Sequence, residues 1–336
     1  MHRGCVDICG VPPVAVVILA YGGRDWLERF LPSVLATDYP TLTVWVIDNG
    51  SDPPLAPWLA QRFPTVQVRT YPENLGYAGG YQRFFEERGW AYPYLALLNS
   101  DVEVPPDWLR PLIARFEAEP KRAALQPKIL SWKERTAFEY AGAAGGLLDR
   151  WGYPTARGRG EQDAGQYDLP ADIFWASGAA LLLRTEAILR DLRGLLFKPY
   201  YFMHMEEIDL CWRLQRAGWR IGYEPRSRVY HVGGASLAQS HPQKTFYNFR
   251  NNLFLLYENL APGDRWRLPW RLLWDAPAGL YLLLRGRPRH TLALIKAHQS
   301  FLRAWRKGLL DRTPYLPFRP LSTLTGLSPR LRLLGG

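Results

Sequence analysis

Cysteine is scarce in this 336-residue chain: Cys5, Cys9 and Cys211 form an odd count without framework spacing. That excludes a disulfide-built scaffold and points to a reducing compartment. Cys5 and Cys9 are separated by three residues, and no second pair completes a zinc site. Long apolar runs are also missing. The longest stretches, such as Leu280 to Leu284, fall far short of the ~20 residues a spanning helix needs. The N-terminus lacks the apolar core of a signal peptide, so the expected setting is cytoplasmic, soluble or peripheral. Two nucleotide signatures are absent as well. The first apolar run leads into Ala20-Tyr21-Gly22-Gly23-Arg24 rather than G-x-G-x-x-G, which disfavours a nicotinamide enzyme. No G-x-x-x-x-G-K-[ST] occurs, which excludes a P-loop NTPase. Internal repeats and low-complexity tracts are lacking too.

What is present reads as globular, with 47% hydrophobic and 22% charged residues. The length allows one large domain or two smaller ones. The net charge of +11 is unevenly placed. From Lys244 onward there are 16 Lys and Arg against 4 Asp and Glu, whereas the preceding residues hold 26 against 27. A nearly neutral body thus carries a basic tail rich in Trp and Leu. Nucleic acid, an anionic membrane surface and a plain solvated basic region are the three readings of such a tail. No recognised nucleic-acid motif accompanies it, so a nucleic-acid partner is not expected. Trp266, Arg267, Trp270, Arg271 and Trp274 mix aromatics with cations as interfacial helices do. A helical cap is the competing reading. The sequence is silent on oligomeric state.

Val14 to Ala20 is a continuous β-branched run, as expected for a strand buried on both faces. A helix is expected from Arg24 to Leu35, then a strand from Leu42 to Ile47 ending at Asp48. A short helix, a strand over Val66 to Arg69, a helix over Ala78 to Arg88 and a strand over Tyr94 to Leu98 follow. This alternation predicts βαβ units and an α/β fold with a parallel sheet. Ligands of such sheets sit at the carboxyl ends of the strands. Ala20, Asp48 and Asp101 fall there, and Asn74 lies in the loop after the third strand. Ser131 to Asp172 is Gly-rich and reads as loops covering a site. Strand character returns over Phe174 to Arg184, a helix over Glu207 to Ala217, and short strands over Trp219 to Tyr223 and Arg228 to His231. From His241 the pattern is helical and amphipathic, broken by Pro269, Pro277 and Pro288.

Five motifs carry the candidate chemistry. Asn99-Ser100-Asp101 places a carboxylate where it suits a divalent metal bridging two phosphates; a turn with local hydrogen bonds is the other reading. Asp48-Asn49-Gly50-Ser51 reads locally as a turn, with Asp48 placed to bond a base or ribose. Asn74-Leu75-Gly76-Tyr77-Ala78-Gly79-Gly80 opens a helix with glycines that let backbone approach a phosphate or ribose. Glu206-Glu207-Ile208-Asp209 puts three carboxylates at a helix start, where the helix dipole alone accounts for part of the pattern. The helix continues into Leu210, Cys211, Trp212 and Leu214, so it packs inside, where carboxylates are more often functional. His231-Val232-Gly233-Gly234-Ala235-Ser236 offers an imidazole to a metal, against the usual structural role of a lone histidine.

These segments, from VVILAYGGRDWLERFLPSVLATDYP through VWVIDNGS, ENLGYAGG, LALLNSDVEVPPDWL, WASGAALLLR and MEEIDLCWRLQRAGW to HVGG, resemble in order the family 2 inverting glycosyltransferases, most closely their bacterial rhamnosyltransferase-type branch. The resemblance implies a GT-A fold: a Rossmann-like, mostly parallel sheet with flanking helices. It implies an N-terminal extension over 1–13, a catalytic domain over 14–240 with donor half 14–130 and acceptor half 131–240, and a helical region over 241–336. By resemblance, Asp101 binds a divalent cation (Mn²⁺ or Mg²⁺), Asn99 replaces the first acid of the D-x-D motif, and His231 is a further ligand. Ala20, Tyr21 and Asp48 match nucleobase-binding positions. Asn74, Gly76, Gly79 and Ser100 belong with the donor-binding segments. Glu207 matches the catalytic base, with Glu206 or Asp209 able to share the task. Trp175, Ser177 and Gly178 match a segment near donor sugar and acceptor. Tyr81 and Phe84 stand where many members carry Asn and Gly. The implied reaction moves a sugar from dTDP-rhamnose or a UDP-sugar to a glycan or polyprenyl-linked acceptor. A non-catalytic binder of the same fold and a nucleotidyltransferase are the rivals, the latter thinly supported by Gly22-Gly23-Arg24.

Overall fold

The computed structural model describes residues 10–140, 142–149, 151–233 and 241–311. Cys5, Cys9, Gly234, Ala235, Ser236 and the chain from residue 312 lie outside them. The described residues fall into two compact units. One holds residues up to Gly146 and from Ala156 to Gly233; the other holds Leu147–Thr155 and residues from His241 onward.

The first unit is built on the run Val14–Ala20, which forms β1 with all but Leu19 buried. Strands β1, β2 (Leu42–Asn49), β3 (Gln67–Tyr71) and β4 (Tyr94–Asn99) pair in parallel in the order β3-β2-β1-β4. Helices α1 (Arg24–Leu35), α2 (Ala56–Arg62) and α3 (Gly76–Glu87) connect them. Helix α1 buries Leu27, Phe30, Leu31 and Val34, the i, i+3, i+4, i+7 face of a helix packed on a sheet. Each such side chain contributes about 1.5–3 kcal/mol when taken from water.

After the two-residue β5 (Val102–Glu103) and α4 (Leu109–Ala118), β6 (Arg122–Ser131) extends the sheet. A short hairpin of β7 (Gly146–Leu148) and β8 (Pro154–Ala156) follows, then β9 (Ala171–Asp172), β10 (Ala180–Arg184), α5 (Thr185–Asp191), α6 (Glu206–Arg216) and β11 (Arg220–His231). Strand β10 lies between β4 and β6 and runs against both. Strand β11 is parallel to β6, whereas β5 and β9 run against β11. Six of the nine strands therefore share one direction.

Two strand expectations are corrected. Strand character over Phe174 to Arg184 is confined to Ala180–Arg184, because the backbone N–H groups of Ser177 and Ala179 go to side-chain oxygens of Gln126 and Ser177. The two expected strands after Trp219 are one, β11, whose register with β6 jumps between Glu224 and Arg228 around Pro225.

The second unit carries α7 (Pro242–Asn259), α8 (Arg267–Leu284) and α9 (Pro288–Arg306). Phe301 of α9 packs its ring near Phe254 and Tyr257 of α7. Pro288 starts α9, where a missing N–H costs nothing. Pro277, expected to break the helix, lies inside α8 instead. It and Leu273, whose carbonyl loses its helical partner, are on the exposed side where water can satisfy that oxygen.

Candidate active site

The carboxyl ends of β1, β2 and β4 carry the first group of expected residues. Asp48, at the end of β2, is fully buried. Its Oδ1 accepts from the Ser51 N–H (3.1 Å) and its Oδ2 from the Leu55 N–H (2.8 Å). The Ser51 hydroxyl accepts in turn from the Gly22 N–H (2.8 Å). Asp48, expected to bond a base or ribose, thus shapes the loop after β2 and ties it to the loop after β1. Ala20 is buried there, and Tyr21 is 63% exposed.

Asn49 is a residue that sequence reasoning missed, because the following glycine made it look like part of a turn. Its amide donates to Asn74 Oδ1 and the Gly76 carbonyl (3.1 Å each), and its oxygen accepts from the Leu75 N–H (3.2 Å). Asn74 Oδ1 also accepts from the Gly76 N–H (2.9 Å). These bonds fix the entry to α3, where Gly76 has φ +70° and a Cβ would lie 2.4 Å from the Phe202 carbonyl oxygen. Only glycine fits. Gly79 follows in the first turn of α3. Tyr81, the departure from the family pattern, is a core residue: its hydroxyl accepts from the Leu19 N–H (3.2 Å) and lies within reach of the Val17 and Leu98 carbonyls.

Asn99 ends β4 and donates its N–H to the Ala179 carbonyl (3.0 Å). Ser100 is half-buried and Asp101 buried. Asp101 Oδ1 lies 3.2 Å from His231 Nε2, while its Oδ2 is buried without a partner. Asn99 Nδ2 is 3.4 Å from the same imidazole nitrogen. On the other side of the ring, Nδ1 stands 3.6 Å from Glu139 Oε2, within ion-pair range but too long for a hydrogen bond. Sequence reasoning missed Glu139, which sits in the Gly-rich stretch with no motif around it. Burial opposes a charged His231, but the two carboxylates outweigh it and push its pKa up to about 10. Burial likewise works to raise Asp101, yet His231 and the Gly233 N–H hold it below the usual range.

Among the described residues no three of His, Cys, Asp and Glu are arranged to hold a metal ion. The unpartnered Asp101 oxygen offers one ligand of suitable chemistry, and His231 offers a second only when an arriving cation displaces the proton that Asp101 and Glu139 hold on it. Phosphate oxygens and water would complete the shell of a hard cation. The residues present therefore fit a divalent cation that arrives with a diphosphate.

Helix α6 is approached through an unusual backbone. Phe202, His204 and Met205 have φ of 64°, 69° and 74°, conformations that non-glycine residues adopt mainly where surroundings force them. The next residues are Glu206, buried, and Glu207, half-buried, each with a buried Oε2 that has no hydrogen-bond partner. Burial pushes Glu207 up to about 7, against backbone N–H groups that favour its charged form. Burial first, then the Glu207 charge, raises Glu206 well above the usual carboxyl range. The Tyr77 phenol is raised as well, by burial first and then by Tyr81 and both acids. Asp209 does not share their situation. Its carboxylate is buried between Lys198 Nζ (3.3 Å) and Arg213 Nε (2.7 Å), and Arg213 also donates to the Leu195 and Leu196 carbonyls. It braces α6, a correction to the expectation that it could act as base.

The segment before β10 is pinned from three sides. The Ala176 N–H points at Cys211 Sγ of α6 (3.5 Å), Gln126 Oε1 accepts from the Ser177 N–H (2.7 Å), and Tyr77 donates its hydroxyl to the Gly178 carbonyl (2.7 Å). A Cβ on Gly178 would sit 2.7 Å from that hydroxyl. Trp175 and Ser177 are buried, so they hold the segment, and half-buried Gly178 is its accessible part.

Residues 15–170 match the family described as Glycosyl transferase family 2. The N-acetylglucosaminyl-diphospho-decaprenol L-rhamnosyltransferase of Mycobacterium tuberculosis is 27% identical over 295 residues, covering 82% of this chain and 94% of its own. The rhamnosyltransferase WbbL of Escherichia coli K12 is 25% identical over 258 residues, covering 74% and 92%. The mannosyltransferase PcManGT from Pyrobaculum calidifontis, solved with GDP-Man and Mn²⁺, shares the fold at a TM-score of 0.53 and 17% identity over 91% of this chain and 90% of its own. With its central sheet, flanking helices and acids at the strand ends, the chain has a GT-A-like fold and carries a glycosyltransferase family 2 domain matched across residues 15–170.

Proposed function

We propose that the chain is an inverting glycosyltransferase of cell-surface polysaccharide synthesis. It moves a sugar from a nucleoside-diphosphate donor, dTDP-rhamnose or a UDP-sugar, to a hydroxyl of a glycan or polyprenyl-linked acceptor at the inner face of a membrane. The observation that carries this reading is Glu207: a carboxyl at the head of a helix, held near pKa 7, with one buried oxygen lacking a partner. A general base works best when its pKa lies near the operating pH. Glu207 takes the proton of the acceptor hydroxyl as that oxygen bonds to the anomeric carbon. The bond from that carbon to the diphosphate breaks on the opposite face, and the anomer inverts. Burial and the Glu207 charge favour the protonated form of neighbouring Glu206, which works against a second negative charge in the site. Asp101, and His231 after loss of its proton, would hold a divalent cation, which supplies Lewis-acid neutralisation of the leaving diphosphate. The loops fixed by Asp48, Ser51 and Asn49 present Tyr21 and the start of α3 to the nucleotide. Gly178 faces the sugar and acceptor.

The test is a thermal-shift panel of UDP, dTDP and GDP, each with Mn²⁺ and with EDTA. A ligand that binds only the folded state raises its stability. A metal-dependent rise for one nucleotide is expected. No rise with any nucleotide, in the presence of acceptor lipid as well, overturns the reading.

A further inference from the structure

Helix α8 is inside out. Between Leu268 and Leu284 its only charged residues are Arg271 and Asp275, 2% and 0% exposed and bonded to each other. The Arg271 guanidinium also stacks 3.8 Å from the Tyr153 ring and donates to Asn252 Oδ1, and Asp275 Oδ2 meets His298 Nε2 at 2.9 Å. The opposite face carries Trp270, Leu273, Trp274, Leu280 and Leu284, joined by Trp266 just before the helix. All six are between 50% and 78% exposed. Spacings of three (270 to 273), four (266 to 270, 270 to 274, 280 to 284) and seven (273 to 280) link them into one stripe. No charged residue interrupts it. Exposed cations follow at its C-terminal end: Arg285, Arg287 and Arg289.

A contiguous apolar stripe of this size marks a surface that meets a partner. The partner's chemistry follows from the rest of the helix. Tryptophan indoles suit a boundary that is apolar on one side and wet on the other. Cations beside the stripe, in a region with 16 basic and 4 acidic residues from Lys244 on, call for an anionic counter-surface. The helix has 18 residues, and no helix among the described residues is long and apolar enough to cross a membrane. We infer that α8 lies in the plane of an anionic lipid bilayer, with its Trp and Leu stripe in the acyl boundary and Arg285, Arg287 and Arg289 among the headgroups. This deepens the membrane setting proposed above and names the face that makes the contact.

The experiment is co-sedimentation of the full chain with phosphatidylglycerol-containing vesicles and with purely zwitterionic vesicles, at low and high salt. Trp270→Ser/Leu273→Ser/Trp274→Ser is the key variant; its sites are exposed, so the fold should persist, and circular dichroism checks this. The wild type should sediment with anionic vesicles, more weakly at high salt, and bilayers with brominated acyl chains should quench its tryptophan fluorescence. The variant should bind at least about tenfold more weakly. Vesicle binding that the variant leaves unchanged, or that depends on the arginines alone, overturns the inference. So does a wild type that ignores vesicles but self-associates in a manner the variant abolishes, since the stripe then meets a second copy. A nucleotide thermal shift on the same samples separates the two readings. A shift without vesicle binding refutes only the membrane face; vesicle binding without any shift refutes only the transferase.

Discussion

Glu206, Glu207 and Asp209 are three carboxylates within four positions, and burial gives each a different fate. Glu207→Gln should abolish transfer while leaving the nucleotide thermal shift intact, as checked by product formation and melting on the same preparation. With the base held near 7, the wild-type turnover number should fall as pH drops through 7 and level off above it. The same shift has a stability consequence. Glu207's folded pKa lies above its ordinary value of 4.5, so the stability it contributes is complete below that value and lost as pH rises through 7. Glu206 acts with the same sign. Above pH 7, Glu207→Gln should therefore melt a few degrees higher than the wild type. Asp209→Asn should do the opposite. It removes the charge from the buried carboxylate that Arg213 and Lys198 meet, and breaking such a buried ion pair costs about 3–5 kcal/mol. Denaturant titration measures it. A variant as stable as the wild type would return Asp209 to the list of bases.

The elements differ in how plainly the sequence announces them. Strand β1 and helix α1 are legible because a buried parallel strand reads as an unbroken apolar run and a packed helix repeats its apolar positions every three or four residues. Acids at strand ends and helix starts are legible for the same reason, since the element boundary places them. Asn49, Glu139, Lys198 and Gln126 are not, because the site partners that give them their place, Asn74, His231 and Ser177 for three of them, are 25 or more residues away, and for Lys198 Asp209 lies in another element. Nor is the single β11, since its bulge looks locally like a break. At Asp48 position alone places the strand end, and only the contacts reveal that each oxygen accepts from a loop N–H group. The entry to α3 gives a prediction. Gly76→Ala combines φ +70° with a 2.4 Å approach to the Phe202 carbonyl oxygen, so it should cost at least about 1–3 kcal/mol and weaken the nucleotide shift. Melting with and without nucleotide checks it.

Across the chain, charge is segregated, with a nearly neutral stretch up to residue 243 and a basic one beyond it. Exposed charge of one sign acts over a Debye length of ~10 Å and is screened by salt. Neutralising Arg285, Arg287 and Arg289 together to Gln should therefore bring the protein off a cation-exchange resin at lower salt and leave the nucleotide thermal shift unchanged. Equal elution would place the basic surface elsewhere. The stretch Leu147–Thr155, far from the tail in sequence, belongs to the same compact unit as α7 to α9, which no composition change along the chain signals. In the other unit, β10 pairs Ala180 with Leu98 and Arg184 with Tyr94, against the direction of its neighbour. The residues just upstream of it are thereby delivered to the carboxyl edge of the sheet without a crossover helix. Among its described residues, the stretch of chain leading into them from β6 makes no strand pairing with β1 to β4. In the function proposed above, the segment that meets the acceptor and the loops that meet the nucleotide therefore reach one edge of the sheet on different stretches of chain.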